Sequence, residues 1–166
     1  MHKCHLLLGS NLGDRAGNIF YALNLIELQI GPILSVSTFY ETEPWGFYSS
    51  KLFLNKAAIV ETWHTPHEIL RLIHHIEKQL GRDHEMGSGY LSRTIDIDIL
   101  FYDNEIIASE TLSIPHPQLH NRKFVLVPLC EISPLKSHPV LKKSIQNLLD
   151  ECSDQSFVRI YNKTTT

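Results

Sequence analysis

The segment "RTIDIDILFYDN", residues 93–104, sets two aspartates two apart in an otherwise apolar run. Ile95, Ile97 and Ile99 alternate with Asp96 and Asp98, the period of a half-buried β-strand. Both carboxylates then share one face, with Cα atoms about 6.6 Å apart. At an effective dielectric of about 20, two such charges repel by roughly 2–3 kcal/mol. Water, basic neighbours or a cation must offset that cost. Magnesium prefers carboxylate oxygens and commonly takes one or two of them together with substrate phosphates. Two carboxylates on one strand face can also hold a pair of ions about 3.5–4 Å apart, the spacing used in phosphoryl chemistry. A bare D-h-D is a weak motif, and it equally fits the solvated face of an edge strand.

Arginines bear on that choice. Arg82 and Arg93 bracket the loop that leads into the strand, and Arg122 lies further on. Guanidinium groups bind phosphate oxygens in bidentate fashion, although surface salt bridges are the commoner and weaker use of arginine. "GSNLGD", residues 9–14, joins a first strand to a first helix. It is not G-x-x-x-x-G-K-[ST], so a P-loop is excluded; a tight turn with an Asp or Asn cap accounts for it. A G-S followed by D-h-D also marks nucleotidyltransferases, but there the parts lie about a dozen residues apart, which excludes that family. Phe53, Asn55 and Phe124 fit two roles. The rings can be core, or a flat heteroaromatic substrate can stack between them while Asn55 reads its polar edge. Periodicity does not choose between these.

The elements that must carry these residues follow from pattern and punctuation. Residues 3–9 read as a buried first strand. A helix spans about 15–30, with Ile19, Leu23, Ile26 and Ile30 on one stripe and Gly31-Pro32 stopping it. Strands are expected at 33–42 and 53–62, with a loop at 43–51 between them. Thr65-Pro66-His67-Glu68 is a capping box with proline at the first helical position. The helix it opens has the apolar stripe Ile69, Ile73, Ile76 and Leu80, and Gly81 suits its end. After a loop at 82–92 comes the strand 93–102, which Asp103-Asn104 is expected to turn into a short partner at 105–107. The chain is extended from 114, becomes helical near 121, forms a helix at about 140–151 and ends in a strand at 157–161. The order β-α-β-β-α-β plus an extra hairpin and C-terminal helices is the ferredoxin-like pattern: an α+β fold with an antiparallel sheet and helices packed on one face.

With 166 residues, 43% hydrophobic and 20% charged, the chain reads as one globular domain over 1–166. A net charge of −3 gives no basic surface for nucleic acid. No apolar run approaches the roughly 20 residues needed to span a bilayer, and the first residues have too short an apolar run for a signal peptide. Cys4, Cys130 and Cys152 are far apart and odd in number, which suits reduced thiols and a cytoplasmic protein. None of the ten histidines stands in a zinc motif. A monomer is expected.

Taken together, "GSNLGD", "FYETEPWG", "FLNKAAIVET", "IEKQLGR", "RTIDIDILFYDN" and "IPHPQLHNRKFVLVPL" resemble the 6-hydroxymethyl-7,8-dihydropterin pyrophosphokinases of folate biosynthesis. The resemblance covers nearly the whole chain in the family's order, and R-x-x-D-h-D-h-h is its most specific mark. It implies transfer of pyrophosphate from ATP to the pterin's hydroxymethyl oxygen, with release of AMP. By resemblance Asp96 and Asp98 bind two magnesium ions. Arg82 and Arg93 act on the phosphates, with Ile99, His116 and Arg122 also on ATP. Thr42, Pro44, Trp45, Phe53, Asn55 and Phe124 form the pterin site, the two phenylalanines sandwiching the ring. Loops 43–51 and 82–92 close as lids that exclude water. The sequence departs from the family's usual basic–aromatic–small run just before Arg93, where it has Gly89-Tyr90-Leu91-Ser92. Two other readings use the same residues: a phosphohydrolase or kinase acting on another heterocycle, and a sensing module whose aspartates are merely solvated.

Overall fold

The structure is a computed structural model, described for residues 1–82 and 92–162. Strands β1 (His2–Ser10), β4 (Phe53–Thr62) and β5 (Asp96–Tyr102) are the long strands of an antiparallel sheet, in the order β5-β1-β4 with β5 at one edge. Strands β2 (Ile33–Val36) and β3 (Tyr40–Thr42) lie in succession along the other edge of β4. A last strand, β8 (Val158–Ile160), pairs outside β3. With helices α1 (Arg15–Gln29) and α2 (Pro66–Gln79), this is the expected β-α-β-β-α-β core.

Local chemistry sets the joints. Asp14 caps α1 by accepting from the Gly17 amide. Gly31, at φ 151°, ends the helix where a Cβ would lie 2.1 Å from the Glu61 carbonyl oxygen. That close approach lets Pro32 accept from the Glu61 amide at 2.9 Å and starts β2 beside β4. The Thr65–Glu68 capping box of α2 forms in both directions.

Three expectations change. The strand at 33–42 is broken, because both the amide and hydroxyl of Ser37 bond to Ala57 and separate β2 from β3. The turn at Asp103 does not fold a partner onto β5. Its carboxylate accepts instead from the Lys3 amide and the His2 ring, and β6 (Ile107–Ala108) pairs with β7 (Ser113–Ile114) as a separate ribbon. Nor do the helices share one face. Helices α1 and α2 bury Ile19, Ile26, Ile69, Ile73 and Ile76 against Cys4, Leu6, Leu8, Ile97 and Ile99. Helices α3 (Lys123–Ile132) and α4 (Ile145–Glu151) cover the opposite face, packing Leu126, Leu129 and Ile145 with Leu7, Ala57 and Phe101. Strand β1 is therefore buried on both sides, which explains its unbroken apolar run.

Candidate active site

The register of β5 against β1 decides where its carboxylates point, and it shifts only beyond them. Asp96 stands opposite Gly9, Asp98 opposite Leu7 and Ile99 opposite Leu6, but Phe101 is opposite His5, so Leu100 is the extra residue of a bulge. Before the bulge the strand alternates: Ile97 and Ile99 enter the α1/α2 core, and Asp96 and Asp98 face the α3/α4 side. After it, Leu100 and Phe101 both join the α3/α4 core. That second face is thus divided along its length. One end is dry, and the other is a cleft floored by Leu7, Gly9 and Asn55, with Asp96 and Asp98 on one side and Trp45, Phe47, Phe53 and Phe124 on the other.

Asp96, Gly9 and Asn55 occupy one row across β5, β1 and β4. Only glycine fits in the middle, since a Cβ at residue 9 would lie 2.8 Å from the Asn55 side-chain oxygen. Buried Asn55 donates to the Thr42 hydroxyl at 2.7 Å, which joins β4 to β3 beneath the cleft. The Arg122 guanidinium lies over the Trp45 ring at 4.4 Å and the Phe124 ring at 5.8 Å. Its Nε is buried and has no hydrogen-bond partner among the described residues.

Arginines hold the acidic side. Arg82 donates to Asp96 and to Glu77, each at 2.5 Å, and Arg93 donates to the other Asp96 oxygen at 2.9 Å. Glu77 is only 1% exposed and also accepts from the Ile97 amide at 2.8 Å. Burial pushes its carboxyl up to about 7, against the pull of Arg82. Asp98 is likewise raised to about 7, first by burial and then by the Asp96 charge. Asn11 pins Arg93 from two directions: its carboxamide oxygen accepts from the Arg93 amide at 2.7 Å, and its own amide donates to the Arg93 carbonyl at 3.2 Å.

Thr42, Trp45, Phe53, Asn55, Arg93, Asp96, Asp98, Arg122 and Phe124 therefore converge on one cleft, and Arg82 reaches it through Asp96. Pro44 lies between the lining residues Glu43 and Trp45. Ile99 sends its side chain into the α1/α2 core, which leaves only its main chain for a ligand. His116 is anchored by its amide to the Leu100 carbonyl at 3.0 Å, and its ring accepts from the Gln118 amide. Burial, then Arg122, lowers its pKa to about 4. Of the loop expected at 82–92, residues 83–91 lie outside the described residues. Glu77 is not singled out by the sequence reading, and Gly9 and Asn11 enter it only as part of the 9–14 turn. A glutamate four residues after Ile73 on an apolar stripe, five before an arginine, was the available signal for the first.

A family profile described as 7,8-dihydro-6-hydroxymethylpterin-pyrophosphokinase (HPPK) matches residues 5–134. The chain belongs to the HPPK family. Among its relatives, the 2-amino-4-hydroxy-6-hydroxymethyldihydropteridine pyrophosphokinase of Porphyromonas gingivalis is 42% identical over 132 residues, 78% of this chain and 90% of that protein. The Aquifex aeolicus protein of the same description is 39% identical over 151 residues, covering 91% and 92%. A solved Plasmodium falciparum HPPK-DHPS structure superposes with TM-score 0.74 at 20% identity, over 90% of this chain and 43% of that one, a likeness of fold. HPPK activity, a pyrophosphokinase step of folate biosynthesis that uses ATP, is the function of this chain.

Proposed function

We propose that the cleft is where pyrophosphate passes from ATP to the hydroxymethyl oxygen of 6-hydroxymethyl-7,8-dihydropterin, with the two substrates divided between its two sides. The observation that carries this reading is the polarity of the cleft itself: paired carboxylates and arginines along β5 face a ring-lined wall across a glycine floor. The pterin lies on the aromatic side, among Thr42, Pro44, Trp45, Phe53 and Phe124, with Asn55 bonding its polar edge. The triphosphate lies against Arg82, Arg93 and Arg122, with His116 and the Ile99 main chain also on ATP.

The donor set fits magnesium. Among the described residues no group of three or more His, Cys, Asp or Glu could hold a metal, so Asp96 and Asp98 need phosphate and water as further ligands, the usual arrangement for this ion. Two magnesium ions there would neutralise the phosphates and lower the barrier to in-line attack. The protein's own groups do the remaining work. Arg93, fixed by Asn11, and Arg82, fixed by Glu77, hold guanidinium charge where negative charge develops. Their present bonds to Asp96 screen that carboxylate and can be exchanged for phosphate. Asn55 and the rings orient the pterin so that its hydroxyl faces the β-phosphorus.

We further propose one domain over 1–166, acting as a monomer in the cytoplasm. The three cysteines are free, as suits a reducing compartment, and no helix among the described residues is long and apolar enough to cross a membrane. Incubation of the protein with ATP, magnesium and the hydroxymethyl-dihydropterin should yield AMP and the pterin diphosphate, and chelation should stop it. ADP or free phosphate as product would overturn the reading, as would full activity without a divalent ion.

A further inference from the structure

We infer that residues 154–161, which lie beyond the stretch matched by the family profile, are a strap that holds the two walls of the pterin side at their working separation, with Asp154 and Arg159 as its positioning residues. The inference rests on the substrate placement proposed above. Four contacts motivate it. Asp154 accepts from the Lys123 amide at 2.9 Å, at the first residue of α3, beside Arg122 and Phe124. Phe157 donates its amide to the carboxylate of Glu43, a cleft-lining residue, at 2.9 Å. Strand β8 then pairs with β3 so that Val158 stands opposite Thr42 and Arg159 opposite Glu41. Arg159 closes on Glu41 with two nitrogens, Nε at 3.1 Å and Nη2.

Glu41 extends the strap under the sheet edge. It is 7% exposed and is shared with Arg15, which donates to its other oxygen at 2.8 Å and to the Leu52 carbonyl at 2.9 Å. The Asp154 anchor at the start of α3 and the Arg159–Glu41–Arg15 set, which reaches the strand carrying Thr42 and the far end of the 43–52 loop, are thus joined through the chain between residues 154 and 159. Without β8 the three-residue β3 would be an edge strand, held by its pairing with β4, by the Asn55–Thr42 bond and by the Glu131 carboxylate, which accepts from Thr38 and Tyr40. Losing either anchor leaves the fold's two cores intact and releases the wall against which the ring stacks.

The test is calorimetric titration of the full chain with hydroxymethyl-dihydropterin, in the presence of a non-hydrolysable ATP analogue, and with the analogue alone. Arg159→Ala and Asp154→Ala should each weaken pterin binding several-fold, since the Arg159 side chain is 65% exposed and each bond acts on the ring only through the wall it holds. In Arg159→Ala affinity for the analogue should stay within about twofold; in Asp154→Ala, whose anchor lies beside Arg122, it should fall less than pterin affinity; and Arg159→Lys and Asp154→Asn should recover most of the loss. Unchanged pterin affinity would overturn the strap. So would an equal loss of both ligands that tracks a fall in Tm, because that is the signature of general destabilisation. Asn55→Ala is the reference: if it leaves pterin affinity unchanged, the proposed placement of the pterin is what has failed.

Discussion

The two faces of the central sheet are made by alternate residues of the same strands, yet they are built for opposite purposes. The α1/α2 face is apolar except at Glu77 near the end of α2, with capped helices and fully buried isoleucines. The α3/α4 face is core only at one end; at the other it keeps carboxylates, arginines and a glycine where packing alone would have placed aliphatic side chains. Burial, and then the Asp96 charge, push the Asp98 carboxyl up to about 7 at this end. Burial of apolar side chains on the first face thus supplies stability that lets the second hold groups that do not favour folding. A substitution should therefore move stability or turnover according to the face it strikes.

The sharpest way to break that contrast is a pair of alanines. Asp98→Ala should lower turnover by about three orders of magnitude or more, equivalent to about 4 kcal/mol of barrier, while unfolding stays cooperative and Tm holds or rises as the carboxylate repulsion is relieved. Ile73→Ala, on the dry face, should cost about 2–5 kcal/mol of stability and leave kcat at low temperature within a few-fold. Steady-state AMP formation and thermal unfolding of both proteins decide it. Near wild-type turnover in Asp98→Ala would remove the ion-binding role from the carboxylate pair.

Much of this division was legible in the sequence, because it is written in period-two alternation. Ile97 and Ile99 against Asp96 and Asp98 give both faces of β5 directly, and the capping box fixes α2 to the residue. What was not legible depends on contacts between distant segments. The bulge at Leu100 that turns Phe101 to the second face is set by pairing with β1, and no local rule places it. The move of α3 and α4 to the opposite face follows from β1 being apolar on both sides, a signal that was present but also fits a strand in a one-sided sheet. Asn11 lies in a turn that local rules explain as a cap, yet its bonds go to Arg93, 82 residues away. Phe53 and Phe124 were ambiguous between core and ligand, and the structure makes Phe124 something of both, packed against the α3/α4 core and lining the cleft.

The dry end of the second face offers a smaller test, by pH. His5 is 4% exposed, its Nε2 lies 3.0 Å from the Ser133 hydroxyl, and its Nδ1 has no partner among the described residues. Burial, aided by Lys136 and Lys3, lowers its pKa from 6.5 to about 4. Between those values the unfolded chain binds the proton and the folded one does not. Stability is therefore full above pH 6.5 and falls as the pH drops towards 4, by at most about 3 kcal/mol. Urea midpoints measured from pH 7 to 4 should fall less steeply in His5→Gln than in the wild type. Parallel curves would mean that His5 is not protonated on unfolding in this range. Turnover offers no such discrimination, since His116, beside the cleft, is also lowered to about 4.

The smallest expected effect lies where the two functions of the second face meet. Phe124 contacts the core through α3 and also presents its ring to the cleft, with the Arg122 guanidinium 5.8 Å from its centre. If the ring stacks on the pterin, Phe124→Ala removes an aromatic contact worth about 1 kcal/mol beyond its area, and pterin affinity should fall about tenfold while ATP-analogue affinity changes less. If the ring is simply core, the loss appears as a drop in Tm with both affinities reduced alike. Phe124→Leu separates the two, because leucine refills most of the core volume but offers no flat face. Stability should then return nearly to that of the wild type while pterin affinity stays low. Calorimetry with each ligand alongside thermal unfolding reads both quantities from the same three proteins. Recovery of pterin affinity in Phe124→Leu would assign the residue to packing and leave Phe53 and Trp45 to hold the ring.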